Sequence, residues 1–140
     1  ILPGMIQRGS GKIMNIASTA SFQPGPFMAV YYATKAYVLS LSVALREELL
    51  GTGITVTTLC PGPTRTGFAK HAKLQGSPLF FRFSTMEPMD VCRIGMTAMK
   101  RGKNIVIPGW KNRITSFCNR LVPIAWAAKA ARILQEKPGK

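Results

Sequence analysis

The sequence predicts an α/β fold in which a parallel sheet carries helices on both faces. Short apolar segments typical of strands alternate with longer segments whose apolar residues recur every three to four positions. Their order is strand, helix, strand, helix, strand, which is typical of parallel sheets because each helix returns the chain to the start of the next strand. A chain of 140 residues with 46% apolar residues is long enough for one such domain.

Three segments have the composition of buried strands. Residues 12–16 are largely apolar and lie between Gly-Ser-Gly and Ala-Ser-Thr. Residues 54–60 are rich in β-branched side chains, and Pro-Gly-Pro follows them. Residues 104–107 form a third short apolar segment. Before these strands, the opening residues 1–5 are expected to be the frayed end of a helix that leaves through Pro-Gly.

Helical periodicity is found in two segments between the strands and in one after them. Residues 29–50 form an amphipathic helix that two glycines end, and its apolar positions are Val30, Ala33, Tyr37, Leu41, Ala44, Leu45 and Leu49. A second helix is expected at about 87–100, with Thr85 as its N-cap. A third is expected at about 113–135, interrupted at Pro123.

Two segments are predicted to be loops. Residues 20–28 contain two prolines and a glycine within three positions. Residues 64–84 are irregular, basic and aromatic, and a loop of about 20 residues inside a small domain is typical of a lid or binding loop.

Polar residues and a turn follow the first two predicted strands. Ser18 comes just after the first strand, and Tyr31 and Lys35 lie at the start of the long helix. The turn after the second strand contains Pro61, Gly62, Thr64 and Thr66. Because open parallel sheets bind ligands at the carboxyl ends of their strands, we expect these residues to form one site.

Tyr31 and Lys35 are four residues apart, which places both on one helix face about 6 Å apart along the axis. A lysine ammonium about 4 Å from a phenol favours loss of the phenol proton, since its charge stabilises the phenolate. Ser18 can hydrogen-bond a substrate oxygen near that phenol. The pattern predicts general acid–base chemistry on a carbonyl or an alcohol.

Each of these features also has an ordinary structural interpretation. Tyrosine and lysine occur four residues apart by chance in many helices, a serine after a strand is often a cap, and Pro-Gly is often only a turn. Tyr32 and Tyr37 are competing phenols, but neither has a lysine four residues later. The occurrence of all three features in order, each beside a strand end, favours the catalytic interpretation.

Three motifs together resemble the C-terminal half of the short-chain dehydrogenase/reductase family. They are Asn-Ile-Ala-Ser at 15–18, Tyr-Tyr-Ala-Thr-Lys-Ala at 31–36 and Cys-Pro-Gly-Pro-Thr-Arg-Thr at 60–66. The interval of 13 residues from Ser18 to Tyr31 is the usual one in that family. The resemblance implies a Rossmann-like sheet and a nicotinamide-dependent oxidoreductase that interconverts a ketone and a secondary alcohol.

The resemblance also implies a role for each site residue. Ser18 would orient and polarise the substrate oxygen, and Tyr31 would be the general acid or base. Lys35 would assist Tyr31 and hydrogen-bond the nicotinamide ribose. The nicotinamide end of the cofactor would be held by Pro61, Gly62, Thr64 and Thr66. Residues 67–84 would correspond to the variable substrate loop of the family.

The sequence departs from the family pattern before Ser18. The family has a glycine-rich cofactor turn, an Asn-Ala-Gly motif and a catalytic asparagine there, whereas only 17 residues precede Ser18 in this chain. We therefore expect the chain to be the C-terminal half only, with little activity alone. Residues 1–112 would be part of the catalytic domain, and 113–140 a basic amphipathic C-terminal helix. The alternative function is a non-catalytic module derived from the same scaffold, which binds a membrane or a partner.

The chain is strongly basic, with 19 Lys and Arg against 5 Asp and Glu. This favours NADP as the cofactor, with NAD as the alternative. In the tail, one predicted face holds Ile114, Phe117, Cys118, Leu121 and Val122. This helix either packs on its own domain or a sister subunit, or lies on an anionic membrane surface. A nucleic-acid partner is not expected, because no recognition motif accompanies the charge.

Near the site, Arg65, Lys70 and Lys73 are interpreted as solvated loop charges, with attraction of anionic acyl substrates as the alternative. The solitary His71 in the same loop is assigned no role. A homo-oligomer is expected from the family resemblance.

Several other classes of protein are excluded. The chain has three cysteines, Cys60, Cys92 and Cys118, which are too few for a disulfide scaffold and indicate no metal site. A cytoplasmic protein is therefore expected, because disulfide scaffolds are typical of oxidising compartments. Any contact with a membrane would be peripheral. The apolar run at 121–128 is too short to cross a bilayer.

Overall fold

The structure is a computed structural model that describes residues 1–67 and 85–135. Most of the predicted substrate loop therefore lies outside the described residues, including Phe68, Phe80, Phe81, Phe83, Lys70, His71 and Lys73. The elements in chain order are α1 (Leu2–Arg8), β1 (Gly11–Ile16), a 3-10 turn (Thr19–Phe22), α2 (Ala29–Glu48), β2 (Ile54–Leu59), α3 (Pro88–Lys100), β3 (Ile105–Val106), α4 (Trp110–Leu121) and α5 (Ile124–Gln135).

The described strands form a parallel sheet in the order β1-β2-β3. β1 and β2 pair along their whole length, from Gly11 opposite Ile54 to Ile16 opposite Leu59. β3 pairs with the end of β2, where Leu59 lies opposite Val106. The predicted α/β class with a parallel sheet is confirmed.

Helices pack on both faces of this sheet, as predicted, because successive strand residues point to opposite sides. On one face, Ile54 and Val56 form a buried cluster with Leu49, the residue that follows α2. On the other face, a Cβ added to Gly95 of α3 would lie 2.7 Å from Leu59 Cδ2. The absence of a side chain at Gly95 thus lets α3 approach the sheet closely.

Four predicted helix features differ from the structure. The opening residues form a seven-residue helix, α1, which ends at Gly9 in the left-handed conformation (φ 62°), and not a frayed end. Glu87 is the N-cap of α3, so the prediction that Thr85 caps this helix is wrong. The first tail helix begins at Trp110, three residues before the predicted start. The long helix ends at Glu48 instead of Leu50.

The structure also corrects the predicted apolar face of α2. Val30 and Tyr37, both on the predicted face, are 78% and 66% exposed. Leu45 and Leu49 of the predicted face do pack in the cluster with Ile54 and Val56. The buried residues within α2 itself are Tyr32, Leu39 and Ser42, none of which was on that face. Ser42 is buried because its hydroxyl accepts a hydrogen bond of 2.9 Å from Asn15 Nδ2 of β1. The inward side of α2 thus mixes polar and apolar groups, which periodicity of apolar residues alone does not identify.

Pro123 interrupts the tail helix as predicted, because α4 ends at Leu121 and α5 begins at Ile124. The two tail helices contact the rest of the fold through polar side chains and, in α5, also through the buried Ala127 and Ala131. Asn119 of α4 donates to the Gln23 side chain, and Gln135 of α5 donates to the Tyr32 hydroxyl at 2.8 Å.

Across residues 1–67 and 85–135, every helix is too short or too polar to cross a membrane. The same residues contain no cluster of histidine, cysteine and carboxylate side chains that could hold a metal ion.

Candidate active site

A cavity of about 380 Å³ lies where β1 and β2 end. Its lining includes every site residue predicted from the sequence, which are Ser18, Tyr31, Lys35, Pro61, Gly62, Thr64 and Thr66. The parallel register places these strand ends side by side, and α2 begins above them. Residues as far as 48 positions apart in the chain therefore face one space.

Ser18 lines this cavity, and its hydroxyl is held by two backbone groups. It is the N-cap of the 3-10 turn, and its hydroxyl accepts a hydrogen bond of 3.1 Å from the Ala20 amide. The same hydroxyl lies 3.4 Å from the Pro61 carbonyl, to which it donates. The Thr19 amide donates to that carbonyl as well, at 2.9 Å. These bonds tie the end of β1 to the turn after β2.

Tyr31 and Lys35 lie one turn apart near the start of α2. The Lys35 ammonium is 5.9 Å from the centroid of the Tyr31 ring. It donates a hydrogen bond of 3.0 Å to the carbonyl oxygen of Ile16, which is the last residue of β1. This contact positions the lysine charge between the strand end and the phenol ring.

The competing tyrosines are placed differently. Tyr32 lines the cavity but is only 6% exposed, and its hydroxyl is held by Gln135 and Gln23. Burial raises the pKa of Tyr32 above its usual value. Tyr37 is 66% exposed and is not part of the cavity lining. Of the three phenols, Tyr31 alone both lines the cavity and lies beside the lysine ammonium.

The turn after β2 packs directly against α4. A Cβ added to Gly62 would lie 2.4 Å from Asn112 Nδ2, so no side chain larger than hydrogen fits without displacement of the Asn112 amide. Asn112 is buried and donates a hydrogen bond of 2.8 Å to the Pro108 carbonyl. The Thr64 hydroxyl donates to the Gly62 carbonyl at 3.0 Å, which closes the turn on itself.

Sequence reasoning missed the contribution of α4 to the cavity. The polar residues of α4 that line the same cavity as Ser18 are Asn112, Thr115, Ser116 and Asn119. The last three are three, four and seven positions from Asn112, which places all four on one face of the helix. This polar periodicity could have been recognised in the sequence. The predicted apolar face of the same helix is exposed instead, as Ile114 (54%) and Phe117 (63%) illustrate.

The cysteines and the nearby charge fall into distinct settings. Burial raises the pKa of Cys60, which follows β2, to about 12, so it remains a thiol at neutral pH. Cys92 of α3 is exposed and lines the cavity, and Cys118 is exposed on α4. Arg65 pairs with Glu87 at 2.8 Å in an exposed ion pair.

The chain is similar to known proteins in both sequence and fold. A family model described as short chain dehydrogenase matches residues 1–76. The chain is 36% identical over 123 residues to the ketoacyl reductase HetN of Nostoc sp., a match covering 87% of this chain and 42% of that protein. It is 40% identical over 94 residues to the very-long-chain 3-oxoacyl-CoA reductase of Bos taurus, covering 65% of this chain and 30% of that protein.

A similar fold is found in a solved structure with a bound cofactor. The short-chain dehydrogenase from Sphingobium yanoikuyae in complex with NADPH aligns with a TM-score of 0.69 at 31% identity. The alignment covers 83% of this chain and 45% of that one. The chain thus spans less than half the length of each of these three relatives.

Proposed function

The chain belongs to the short-chain dehydrogenase/reductase family, and we propose that it supplies the acid–base part of an oxidoreductase site that interconverts a ketone and a secondary alcohol. The observation that carries the proposal is the shared cavity. Ser18, Tyr31, Lys35 and the turn at 61–66 all line it, although they come from three separate segments.

The turn at 61–66 fits the nicotinamide end of a dinucleotide. Gly62 lines the cavity with its backbone alone. A Cβ at this position would have no room beside Asn112. Pro61, Gly62, Thr64 and Thr66 would hold the nicotinamide ring and its carboxamide there. When bound, the cofactor would supply or accept a hydride, which is the chemistry that these side chains cannot perform.

The residues of the chain would then manage the substrate oxygen and its proton. Ser18 would donate a hydrogen bond to the carbonyl oxygen, in place of its long bond of 3.4 Å to the Pro61 carbonyl. Tyr31 would give its hydroxyl proton to that oxygen during reduction and take it back during oxidation. The positive charge of Lys35, anchored on the Ile16 carbonyl, would stabilise Tyr31 when it has lost its proton.

We propose NADP(H) as the cofactor and a 3-oxoacyl compound as the substrate. The names of two relatives describe reduction of ketoacyl and 3-oxoacyl substrates, and a similar structure holds NADPH. The cavity itself has an apolar wall that includes Met28, Pro63, Pro88 and Val91. Such a wall fits an acyl chain that extends away from the reacting carbonyl.

The test is turnover of NADPH by the full-length protein with a short 3-oxoacyl thioester. Tyr31→Phe should lower kcat by roughly 100-fold or more, since removal of a positioned acid–base group has an effect of that size. Tyr37→Phe is the matched control, because this phenol is exposed and outside the cavity, and its kcat should be unchanged. Near-normal turnover by Tyr31→Phe would contradict the assignment of this residue.

The same assay separates the enzyme from the non-catalytic binding module. A wild-type protein that binds NADPH but reduces none of a panel of ketones, 3-oxoacyl thioesters included, would favour the module. Reduction with NADH at the same kcat/KM as with NADPH would contradict the cofactor preference alone.

A further inference from the structure

We propose that the surface formed by α3, β3 and α4 docks the protein on an anionic lipid bilayer. This surface lies on the side of α4 away from the candidate active site. It contains a groove of about 1220 Å³, which we call the basic groove. The cations that line it are Arg93, Arg101, Lys103, Arg113 and Arg120.

The charged side chains that line the basic groove are all cations, and Asp90 in the first turn of α3 lies outside that lining. Residues 91–135 contain Lys or Arg at nine positions and neither Asp nor Glu at any. In the part of the chain that the structure describes, no carboxylate side chain lines the basic groove. An occupant of this surface must therefore be anionic to match it.

The surface is also unusually apolar. Trp110, Ile114 and Phe117 line the same groove and are 67%, 54% and 63% exposed. They face outward because the opposite stripe of α4, which includes Asn112 and Ser116, is buried against the domain. Single exposed apolar side chains are common on protein surfaces, but a group of large ones is typical of a binding surface.

The pattern continues beyond the bend at Pro123. Trp126 of α5 is 72% exposed, and Ile124 and Ile133 are exposed as well. Lys129 and Arg132 lie on the same helix. Tryptophan with lysine and arginine around an apolar face is the composition of helices that lie in the headgroup region of anionic bilayers.

A bilayer fits this surface better than the other anionic partners. A nucleic acid or a free phosphate would use the cations but would leave the indole, phenyl and isoleucine side chains exposed to water. A second copy of the chain would cover those side chains, but a twofold contact would bring cation against cation without a carboxylate between them. An anionic bilayer provides phosphates for the cations and acyl chains for the apolar groups.

The experiment is flotation of the full-length protein with phosphatidylcholine vesicles that contain or lack phosphatidylglycerol. We expect flotation only with the anionic vesicles, and we expect it to weaken as the salt concentration rises. The charge variant is Arg101→Gln with Arg113→Gln, and the apolar variant is Phe117→Ser. The matched control is Arg8→Gln with Lys12→Gln, two exposed cations of α1 and β1.

The charge variant should partition roughly thirty-fold less than wild type, from two cations near an anionic surface. Phe117→Ser should also weaken flotation with all charges retained, whereas the control should float like the wild type. Circular dichroism would verify that every variant is folded.

Three outcomes would overturn the proposal. The first is equal flotation of all variants, or equal flotation on uncharged vesicles. The second is a shift of Phe117→Ser to a smaller oligomer in sedimentation velocity with vesicle binding intact, which would assign the surface to contact between copies. The third is salt-sensitive binding to DNA that Phe117→Ser does not weaken, with no flotation, which would assign the surface to nucleic acid.

Because α4 separates this surface from the active site, turnover of a soluble substrate should stay unchanged in all these variants.

Discussion

Helices α2 and α4 line the same cavity, and each turns a row of apolar side chains to solvent. On α2 the row includes Val30 and Leu41, and on α4 it includes Ile114 and Phe117. The two rows differ in the charges around them. Glu47 and Glu48 accompany α2, whereas every charged residue of α4 is a cation. Both rows expose large apolar side chains, and the charges around them predict different partners.

The inward sides of the two helices explain why the apolar rows face outward. α2 must present Tyr31 and Lys35 to the cavity, and α4 presents Asn112 and Asn119. A helix that lines a polar site cannot also place its whole apolar row inward. Apolar periodicity therefore located both helices and assigned Leu45 correctly to the packed side of α2. It also placed on the packed side residues that are exposed, such as Val30 of α2 and Phe117 of α4.

The largest expected effect compares two leucines of α2 that lie two positions apart. Leu39 is 8% exposed and packs in the buried cluster with Ala17 and Cys60, whereas Leu41 is 45% exposed. Leu39→Ala should lower the free energy of unfolding of the full-length protein by about 2–5 kcal/mol, because it leaves a cavity in the core. Leu41→Ala should lower it by less than about 1 kcal/mol.

Denaturant unfolding of the two variants measures this difference directly. Equal losses would mean that the outward row of α2 is buried in the full-length protein. The comparison with α4 would then break down, because only α4 would keep an exposed apolar row.

A smaller effect is expected where the turn after β2 meets α4. Gly62→Ala would place a methyl group 2.4 Å from Asn112 Nδ2, and such overpacking lowers stability by about 1–3 kcal/mol. It should also raise KM for NADPH, since the turn borders the proposed nicotinamide site. Unfolding and steady-state kinetics would be measured on the same preparation.

The control for this variant is a double-mutant cycle with Asn112→Ala, which removes the atoms that the new methyl group meets. The loss in the double variant should be smaller than the sum of the two single losses. Strict additivity would show that Gly62 and Asn112 are not in contact, and α4 would then not support the turn.

The parts of the molecule that the sequence predicted depend on local spacing. Ser18, Tyr31 and Lys35 lie within 18 residues of one another, and the strands that place them are short apolar segments with clear ends. The missed residues depend on contacts between distant segments. Asn119 lines the cavity, and its amide donates to Gln23, 96 positions earlier in the chain.

The prediction that Thr85 caps α3 was wrong for a related reason. Thr85 has a side chain typical of an N-cap, but the backbone near it pairs with the turn after β2. Met86 exchanges hydrogen bonds with Pro63 and Arg65, and Glu87 becomes the N-cap. Such a contact between two loops has no periodic signature in the sequence.

The smallest expected effect compares two tyrosine hydroxyls of α2. Tyr32 is buried, and its hydroxyl accepts a hydrogen bond of 2.8 Å from Gln135 Nε2 of α5, whose side chain is also buried. Tyr32→Phe leaves that amide, which belongs to a side chain only 8% exposed, without this acceptor. We expect a loss of about 1 kcal/mol in the free energy of unfolding, at the lower end for an unsatisfied buried donor because Gln135 lies near the end of α5. Tyr37→Phe removes an exposed hydroxyl and should change the free energy of unfolding by less than about 0.5 kcal/mol.

Amide hydrogen exchange in α5 should accelerate in Tyr32→Phe alone, since this hydroxyl links α5 to α2. Equal exchange in the two variants would mean that α5 is held by other contacts, and the inward polar side of α2 would then serve the cavity without fastening the tail.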